Sequence, residues 1–447
     1  MFFLGFLFSF TLFGQNLDFT NNDYKETFKV DSIKILGNKN TKDFIILREL
    51  NFSIGDIINN ETLLFNRERI FSLGIFTKVS VLLEKRGEKN IAVIMIEESW
   101  YIFPIPFINV REKSFERTSY GISLKYKNFR GRNETIRATA SFGYDPFYRF
   151  EYENPLLISS AEISLYLSFA FGSPINKSPL LEKLYGKPFD FKTVLLSAIL
   201  GKRVTKESSF FFIFNYSNIK SPSNYFNDYM ASGSSSDKQI TAGLSYSYDS
   251  RNLKQYASKG EYLELNYLLN GIGNKNISYN TINIDTRKYQ EIYKSLLVKG
   301  HLNLRHTFGK RIPLYDNSML GYDYYIRGNR YNISEGNNRI LASLELAYPI
   351  LPEWNFAIDL PILPNSLTRS RIAIIAGIFS DAGTVFNNVD KFELNNFSSG
   401  YGFGLTFLFL PYSAFRIEYA FNEFGKGELL LGTGISFWYW TLLLTKN

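Results

Sequence analysis

Much of the chain after residue 115 alternates apolar and polar residues, with the period of two typical of a β-strand that has one apolar face. The polar faces of two such segments, SLLVKGHLNLR and FRIEYAF, carry the charged residues Lys299, Arg305, Arg416 and Glu418. The opposite faces of these segments carry almost no charge. A soluble sandwich core also gives this period. However, one charged face and one charge-free face are typical of strands with lipid outside and a wet lumen inside.

About sixteen such segments follow one another along the chain. They start near residues 118, 132, 147, 160, 190, 207, 238, 260, 278, 293, 315, 339, 371, 399, 413 and 428. A spacing of roughly 22 residues per segment suits membrane-spanning strands of ~10 residues with their connections. Lipid cannot satisfy the backbone groups of an open sheet. We therefore predict a transmembrane β-barrel of about 16 antiparallel strands over residues 115–447.

A different pattern precedes the barrel, over residues 27–99. It predicts a small α+β domain with the order strand–helix–helix–strand–strand. The predicted elements are a strand in 28–38, a helix in 41–50 with Thr41 as N-cap, a helix in 55–76 and a hairpin in 78–99.

The first residues, MFFLGFLFSFTLFG, hold an apolar run of about a dozen residues, too short to span a bilayer as a helix. We predict a signal peptide over residues 1–14, with Gly14 before the cleavage site. The positive charge that usually precedes the apolar run is missing, and a buried N-terminal element is the alternative.

The composition excludes several kinds of functional site. The chain has no cysteine and two histidines, which excludes disulfides, thiolate zinc sites and cysteine nucleophiles. The two histidines also leave little room for histidine-based metal sites or catalytic triads. The formal charge of +8 is spread evenly, so we expect no nucleic-acid partner. Phe, Tyr and Trp make up 17% of the residues, which fits the aromatic girdles of a membrane barrel.

Four short motifs stand out. They are RIFSLGIFTKVSV with Gly74, Phe76 and Val79; YSYDSRNLKQYASKG with Asp249; YYIRGNRY with Arg327; and GIFSDAGTVF with Asp381 and Gly383. The first resembles a POTRA domain, in which a helix ends in a Gly-Phe step and the next strand begins with valine. Together the motifs resemble the outer-membrane assembly superfamily of BamA, TamA and the mitochondrial sorting protein. The resemblance implies one POTRA domain in the periplasm and a 16-stranded barrel in the bacterial outer membrane.

The resemblance also implies a functional loop between the eleventh and twelfth barrel strands. Its tip motif is Ile326, Arg327 and Gly328, and it folds back into the lumen, where the arginine pairs with acids on the next two strands. Strand parity places Glu345 and Asp381 on the inner face, so they are the predicted partners. The strand-end motif that begins at Asp381 closes with Gly383. Asn329 stands where the family has an aromatic residue, with Tyr331 two positions later.

The function implied is protein assembly: the POTRA domain and a laterally opening barrel help β-barrel clients fold and insert. No bond is made or broken in this function, so the resemblance implies no catalytic residues, no metal and no cofactor. The expected partners are the lipid bilayer, unfolded β-barrel clients, and periplasmic or lipoprotein accessory subunits. A secretion pore of the two-partner type is the alternative, and a plain diffusion channel is a weaker one.

Overall fold

A computed structural model describes most of the chain. The described residues are 27–110, 114–222, 229–358, 363–390 and 393–433. The predicted signal peptide, residues 1–14, lies outside them. None of the helices in the described part is long and apolar enough to cross a membrane.

The N-terminal domain has the predicted elements, but its first strand is split in two and an additional short strand lies between the two helices. Its elements are β1 (Thr27–Lys29), β2 (Ser32–Leu36), α1 (Asp43–Leu47), β3 (Ile57–Asn59), α2 (Asn60–Phe71), β4 (Phe76–Arg86) and β5 (Lys89–Glu98). Strand β5 lies at the centre of a three-stranded sheet, parallel to β2 and antiparallel to β4, while β1 pairs with β3. The end of α2 packs on this sheet and buries Ile70 and Phe71 completely.

The start of α1 differs from the prediction. Lys42 holds the N-cap position, and no side chain caps the helix. The hydroxyl of Thr41 instead donates to Glu98 Oε1 at 2.8 Å and accepts from Asn128 Nδ2 at 2.9 Å. The buried Thr41 thus links this domain to the barrel at Asn128.

Sixteen antiparallel strands form the barrel sheet. They are β6 (Ile102–Val110), β7 (Thr118–Phe129), β8 (Glu134–Gly143), β9 (Phe147–Ile158), β10 (Ile163–Gly172), β11 (Lys192–Arg203), β12 (Ser208–Lys220), β13 (Ser236–Asp249), β14 (Gly260–Asn270), β15 (Ser278–Tyr293), β16 (Leu296–Arg311), β19 (Asn338–Ala357), β20 (Arg369–Phe386), β21 (Ser398–Leu410), β22 (Ser413–Asn422) and β23 (Gly427–Thr433). Each strand pairs with the next one along the chain, except that β16 pairs directly with β19.

The connection between β16 and β19 contains a small hairpin, β17 (Ser318–Leu320) with β18 (Ser334–Gly336), which forms its own two-stranded sheet. The segment predicted as a barrel strand near residue 315 therefore belongs to this connection. Two short helices lie in other loops: α3 (Pro179–Tyr185) and α4 (Asn365–Thr368).

The sheet begins before the predicted boundary at residue 115. Its first strand is β6, and the segment around 120–126, expected to be the first strand, is the second one, β7. The sequence of β6, IFPIPFINV, hides it, because two prolines and a lack of alternation argue against a strand. One strand gained here and one lost near residue 315 leave the predicted count of sixteen unchanged.

The two faces of the barrel are those the alternation predicts. The charged side chains of Lys299 and Arg305 are buried in the lumen. Apolar side chains such as Leu167, Leu244 and Phe403 lie exposed on the outer face. This distribution suits a hydrocarbon exterior and a polar interior.

The N-terminal domain packs against the mouth of the barrel at the end where β6 begins. One continuous apolar core joins its own buried residues to residues of the barrel's turns and strand ends at this mouth. The barrel contributes Leu253, Tyr256, Leu297, Ala347, Ala373, Ile375, Leu408, Leu410 and Ala414. This shared core is buried from water and holds the domain over the mouth of the barrel.

Candidate functional site

The loop between β16 and β19 places its tip inside the lumen. Arg327 makes three hydrogen bonds to Asp381 on β20: its backbone N–H donates to Oδ2 at 3.0 Å, Nε to Oδ2 at 2.8 Å and Nη2 to Oδ1 at 2.7 Å. Both side chains are buried. The two parallel side-chain bonds are the fork geometry in which a guanidinium grips a carboxylate most firmly.

Two further acids contact the other terminal nitrogen of Arg327. Nη1 lies 3.0 Å from Glu418 Oε1 on β22 and 3.5 Å from Glu345 Oε2 on β19. The structure therefore brings together the arginine and the two acids proposed from the sequence, and adds Glu418. Of the three, Glu345 has the longest contact, and it lies nearer to Lys299 Nζ, at 2.9 Å.

Charged side chains around the tip pair with one another. Three cations, Arg327, Lys299 and Arg416, face three anions, Asp381, Glu345 and Glu418, and all of them except the partly exposed Arg416 are buried. Burial of an isolated charge costs several kcal/mol or more, whereas a paired and hydrogen-bonded cluster avoids most of that cost. The cluster is therefore sensitive to the loss of any one member.

Close backbone packing holds the tip in place. The guanidinium of Arg327 stacks 3.6 Å above the Phe379 ring. Gly328 adopts φ +95°, and a Cβ at this position would meet Phe421 O at 2.4 Å. On β21, a Cβ at Gly400 would lie 1.7 Å from the carbonyl oxygen of Arg327. Both glycines are needed because the loop backbone touches the barrel wall.

The remaining motif residues surround the tip. Ile326 is buried in an apolar cluster with Leu320 and Leu341. Gly383 lies beneath it, where an added Cβ would approach Ile326 Cδ1 to 3.3 Å and Ile340 O to 2.8 Å. Gly383 thus leaves room for the isoleucine of the tip motif.

Asn329 has partners of its own at the position where the resemblance led us to expect an aromatic residue. Its Nδ2 donates to Ser399 O at 2.9 Å and to Glu423 Oε2 at 2.5 Å. The next contact reaches the last strand: the backbone N–H of Gly328 donates to Glu428 Oε1 at 2.8 Å. The tip is therefore bonded to strands or turns from β19 to β23.

The POTRA motif residues lie in the N-terminal domain, away from the lumen site. Gly74 has φ +69° in the turn after α2, and its carbonyl accepts from Lys127 Nζ of the barrel at 2.9 Å. Phe76 and Val79 lie on β4 and are buried in the core of the domain. Their placement indicates a packing role, with Gly74 also at the contact with the barrel.

Ion pairs link the N-terminal domain to the barrel mouth. Glu68 on α2 lies 2.7 Å from Arg371 on β20, whose guanidinium stacks 4.0 Å above the Phe71 ring. Glu49 pairs with Arg203 at 2.9 Å. Burial raises the pKa of the Glu49 carboxyl, but Arg203, Lys254 and Arg69 outweigh it and lower that pKa to about 2.

The turn 250–259 touches both the N-terminal domain and the lumen cluster. Its Gln255 Nε2 donates to Phe71 O at 3.2 Å. Its Tyr256 hydroxyl accepts from Lys299, the cation that also binds Glu345. Ahead of the turn, Asp249 pairs with Arg251 at 2.8 Å, which fixes the Asp-x-Arg-Asn motif.

Sequence reasoning missed Lys299, Glu418, Glu428 and Gly400 as members of the site. The alternation put the charged side chains of β16 and β22 on the inner face, but it carried no information on which of them meet the loop. Across the part of the chain that is described, no group of three or more acidic or histidine side chains is arranged to hold a metal ion.

Two family models match the sequence. The Omp85 superfamily domain matches residues 128–437. A POTRA model described as a surface antigen variable number repeat matches residues 28–98. No curated protein matches the chain.

Solved outer-membrane proteins share the fold. BamA from Haemophilus ducreyi lacking POTRA domains 1–3 aligns with a TM-score of 0.53 and 18% identity, over 90% of this chain and 83% of that one. CdiB from Escherichia coli aligns with a TM-score of 0.53 and 11% identity, over 91% and 75%. CdiB from Acinetobacter baumannii gives 0.50 and 13%, over 91% and 73%.

The Omp85 match covers well over half of the chain. Members of this family are assembly and transport barrels and are not enzymes. The family places the barrel in the outer membrane, the POTRA domain in the periplasm, and client polypeptides among the partners. The chain thus belongs to the Omp85 superfamily, as an outer-membrane barrel of sixteen strands preceded by one POTRA domain.

Proposed function

We propose that the protein is an assembly factor that helps β-barrel clients fold and insert into the outer membrane. In this proposal the POTRA domain receives unfolded clients, and the seam between the first and last barrel strands opens sideways. Client strands then add to the exposed edge by β-augmentation. Periplasmic or lipoprotein subunits would assist, as the resemblance implies.

The observation that carries the proposal is the occupied lumen. The POTRA domain covers one mouth, and the loop tip is fixed inside by a cluster of three cations and three anions, five of which are buried. A passenger that crossed the lumen would have to displace both. A client strand at the seam would displace neither, which favours assembly over secretion.

The sheet order gives a second line of support. Within the described residues, β6 and β23 stand at the two ends of the sheet and are not paired with each other. All other neighbouring strands are joined by ladders of seven or more residue pairs. In this proposal the barrel opens at the seam between these two strands.

Depletion of the protein, followed by a quantitative inventory of the outer-membrane proteome, tests the proposal. A broad loss of barrel proteins is expected if the protein assembles them. Loss of a single secreted passenger, with other barrels unchanged, would favour the two-partner secretion pore instead. A large steady conductance of the full chain in planar bilayers would favour a diffusion channel.

A further inference from the structure

On the side of the POTRA domain, two barrel strands extend beyond their neighbour. The last pair between β19 and β16 is Ala347 with Leu297, but β19 continues to Ala357. We call this extension the rim hairpin. It consists of residues 349–357 of β19 and 369–375 of β20, which pair with each other. Its shorter arm, on β20, spans roughly 20 Å at a rise of ~3.3 Å per residue.

The inner face of the rim hairpin is polar and contacts the POTRA domain. Arg369 lies 2.7 Å from Glu97, and Arg371 lies 2.7 Å from Glu68. Residues that pair directly in an antiparallel ladder share a face of the sheet, so Asn355, the partner of Arg371, lies on this face too. The inner face is therefore already occupied by a protein partner within the same chain.

The outer face of the rim hairpin is apolar. Trp354 pairs with Ile372 and Leu351 pairs with Ile374, so these residues lie opposite to Arg371. No residue of this face carries a charge, and Ile350 and Leu351 are 55% and 36% exposed. The members of the outer face are Ile350, Leu351, Trp354, Phe356, Ile372 and Ile374.

This outer face continues the lipid-facing surface of the barrel without a break. Tyr348 and Leu344 precede it on β19, and Ile378 follows it on β20; all three are exposed on the outside of the barrel. An apolar face that bound a soluble subunit would be surrounded by a polar rim. Here the apolar surface merges with the lipid-facing one, which favours lipid as its partner.

The two tryptophans within the described residues both lie at the rim hairpin. The ring of Trp354 lies 6.0 Å from that of Phe356 on the outer face. The exposed Trp100 lies at the far end, where its backbone N–H donates to Ser366 O of α4 at 3.1 Å. The hydroxyl of Tyr412 donates to the same carbonyl. Tryptophan and tyrosine are enriched where a protein meets the interface between membrane and water.

We propose that the outer face of the rim hairpin lies in the phospholipid interface of the periplasmic leaflet. The rim hairpin then binds the membrane with one face and the POTRA domain with the other, and so anchors the docked domain to the lipid surface. The occupant is the headgroup region with the adjoining part of the acyl chains, into which an amphipathic segment sinks by about 5–10 Å. The inference does not depend on the assembly function, because a secretion pore with the same fold would be anchored in the same way.

Fluorescence quenching by lipids tests the proposal, because the chain has no cysteine of its own. Single cysteines at Ile350→Cys and Phe356→Cys carry the fluorophore NBD. The full chain is placed in vesicles of phosphatidylethanolamine and phosphatidylglycerol, in which some headgroups carry a nitroxide quencher. Iodide in the buffer is the second quencher and reports exposure to water.

Three further single cysteines serve as controls. Phe210→Cys is 53% exposed on the lipid face near the start of β12 and gives the signal of lipid contact. Glu88→Cys is exposed in the turn between β4 and β5, away from the barrel, and gives the background. Asn355→Cys is the matched control, because it neighbours Phe356 but lies on the inner face.

The nitroxide should quench the probes at Ile350→Cys and Phe356→Cys about as strongly as at Phe210→Cys, and several-fold more strongly than at Glu88→Cys. Quenching at Asn355→Cys should be weaker than at Phe356→Cys. In addition, Trp354→Glu should lower lipid quenching at Ile350→Cys, since a charge does not enter the interface readily. If Phe356→Cys does not assemble, Ile350→Cys serves the same comparison.

Two results would overturn the proposal. Lipid quenching at the Glu88→Cys background, with strong quenching by iodide, would mean that the outer face lies in water. Protection from both quenchers would mean that a protein surface, such as a second copy of the chain, covers it.

Discussion

The first prediction concerns the hydrogen bonds between Asp381 and Arg327, which the variant Asp381→Asn should weaken. The carboxylate accepts three hydrogen bonds from one residue, at 2.7, 2.8 and 3.0 Å. An amide of the same shape keeps one oxygen, but its NH₂ group then faces a guanidinium N–H. The cluster also loses one of its three negative charges.

The size of the effect follows from burial. Removing one partner of a buried ion pair costs about 3–5 kcal/mol. At about 1.4 kcal/mol per factor of ten, the ratio of undocked to docked loops should rise by about two to three and a half powers of ten. The barrel itself should still form, because its strand ladders do not depend on this contact.

A single cysteine at Ser318→Cys measures the undocked fraction. Ser318 lies on β17 within the loop and is 1% exposed, so a membrane-impermeant maleimide reaches it only when the loop opens. The control is Ser141→Cys, equally buried on the lumen face of β8 and remote from the loop. In the Asp381→Asn background, labelling at position 318 should accelerate and labelling at 141 should not.

An unchanged labelling rate at position 318 would refute the reasoning, since it would mean that the ion pair does not hold the loop. Glu261→Gln provides the matched carboxylate control. Its partner is Lys288 at 3.0 Å, but both side chains are more than half exposed. An exposed pair of this kind is worth about 0–1 kcal/mol, so the loop should not respond.

Three further predictions concern the tip and the POTRA contact. Gly400→Ala should also speed labelling of the loop, because the added methyl group would lie 1.7 Å from the Arg327 carbonyl oxygen. Glu68→Gln should loosen the contact of the POTRA domain with the mouth, since the buried Arg371 loses its 2.7 Å partner and keeps only Glu353 at 3.0 Å; faster proteolysis of the segment 99–102 reports this. The Glu49 pKa is lowered to about 2, so its contribution to docking should be complete above pH 4.5 and decline as the pH falls toward 2, as followed by the same proteolysis.

Each of these three predictions has a control variant. A Cβ at Gly300 meets nothing within 4 Å, so Gly300→Ala should leave the loop docked. Glu84→Gln removes only an exposed pair with Arg86 and should leave proteolysis unchanged. Equal proteolysis of Glu68→Gln and Glu84→Gln would contradict the assigned role of the buried pair. The control for the pH prediction is Glu49→Gln. If this variant loses as much docking between pH 4.5 and 2 as the native protein does, another group titrates in that range.

The sequence predicted the barrel well because lipid imposes one rule on every strand. A lipid-facing residue must be apolar and the next one is free to be polar, so the alternation identifies both the strand and its inner face. The same rule failed for β6, where Pro104 and Pro106 occupy an edge and the lumen face is also largely apolar. A strand with two apolar faces and missing donors does not resemble its neighbours.

The lumen site was only partly predictable. The alternation along each strand assigned Glu345 and Asp381 to the inner face, and the family resemblance predicted that they pair with Arg327. The role of Lys299 depends on the register of β16 against β19, which sets it directly opposite Glu345. A single-strand pattern contains no register, because register comes from the pairing of two strands around a long loop. The same holds for Glu418, 91 residues from Arg327 along the chain.

The contacts of the loop tip also impose an order on the protein's own biogenesis. Arg327 can meet Asp381 as soon as β20 is in place, but its bond to Glu418 and the bond from Gly328 to Glu428 require β22 and β23. These strands are the last parts of the barrel to be synthesised. The tip can therefore make all of its contacts only after β22 and β23 have joined the sheet. In a chain that ends before Glu418, Arg327 could still bind Asp381 and Glu345 but would lack the contacts to Glu418 and Glu428.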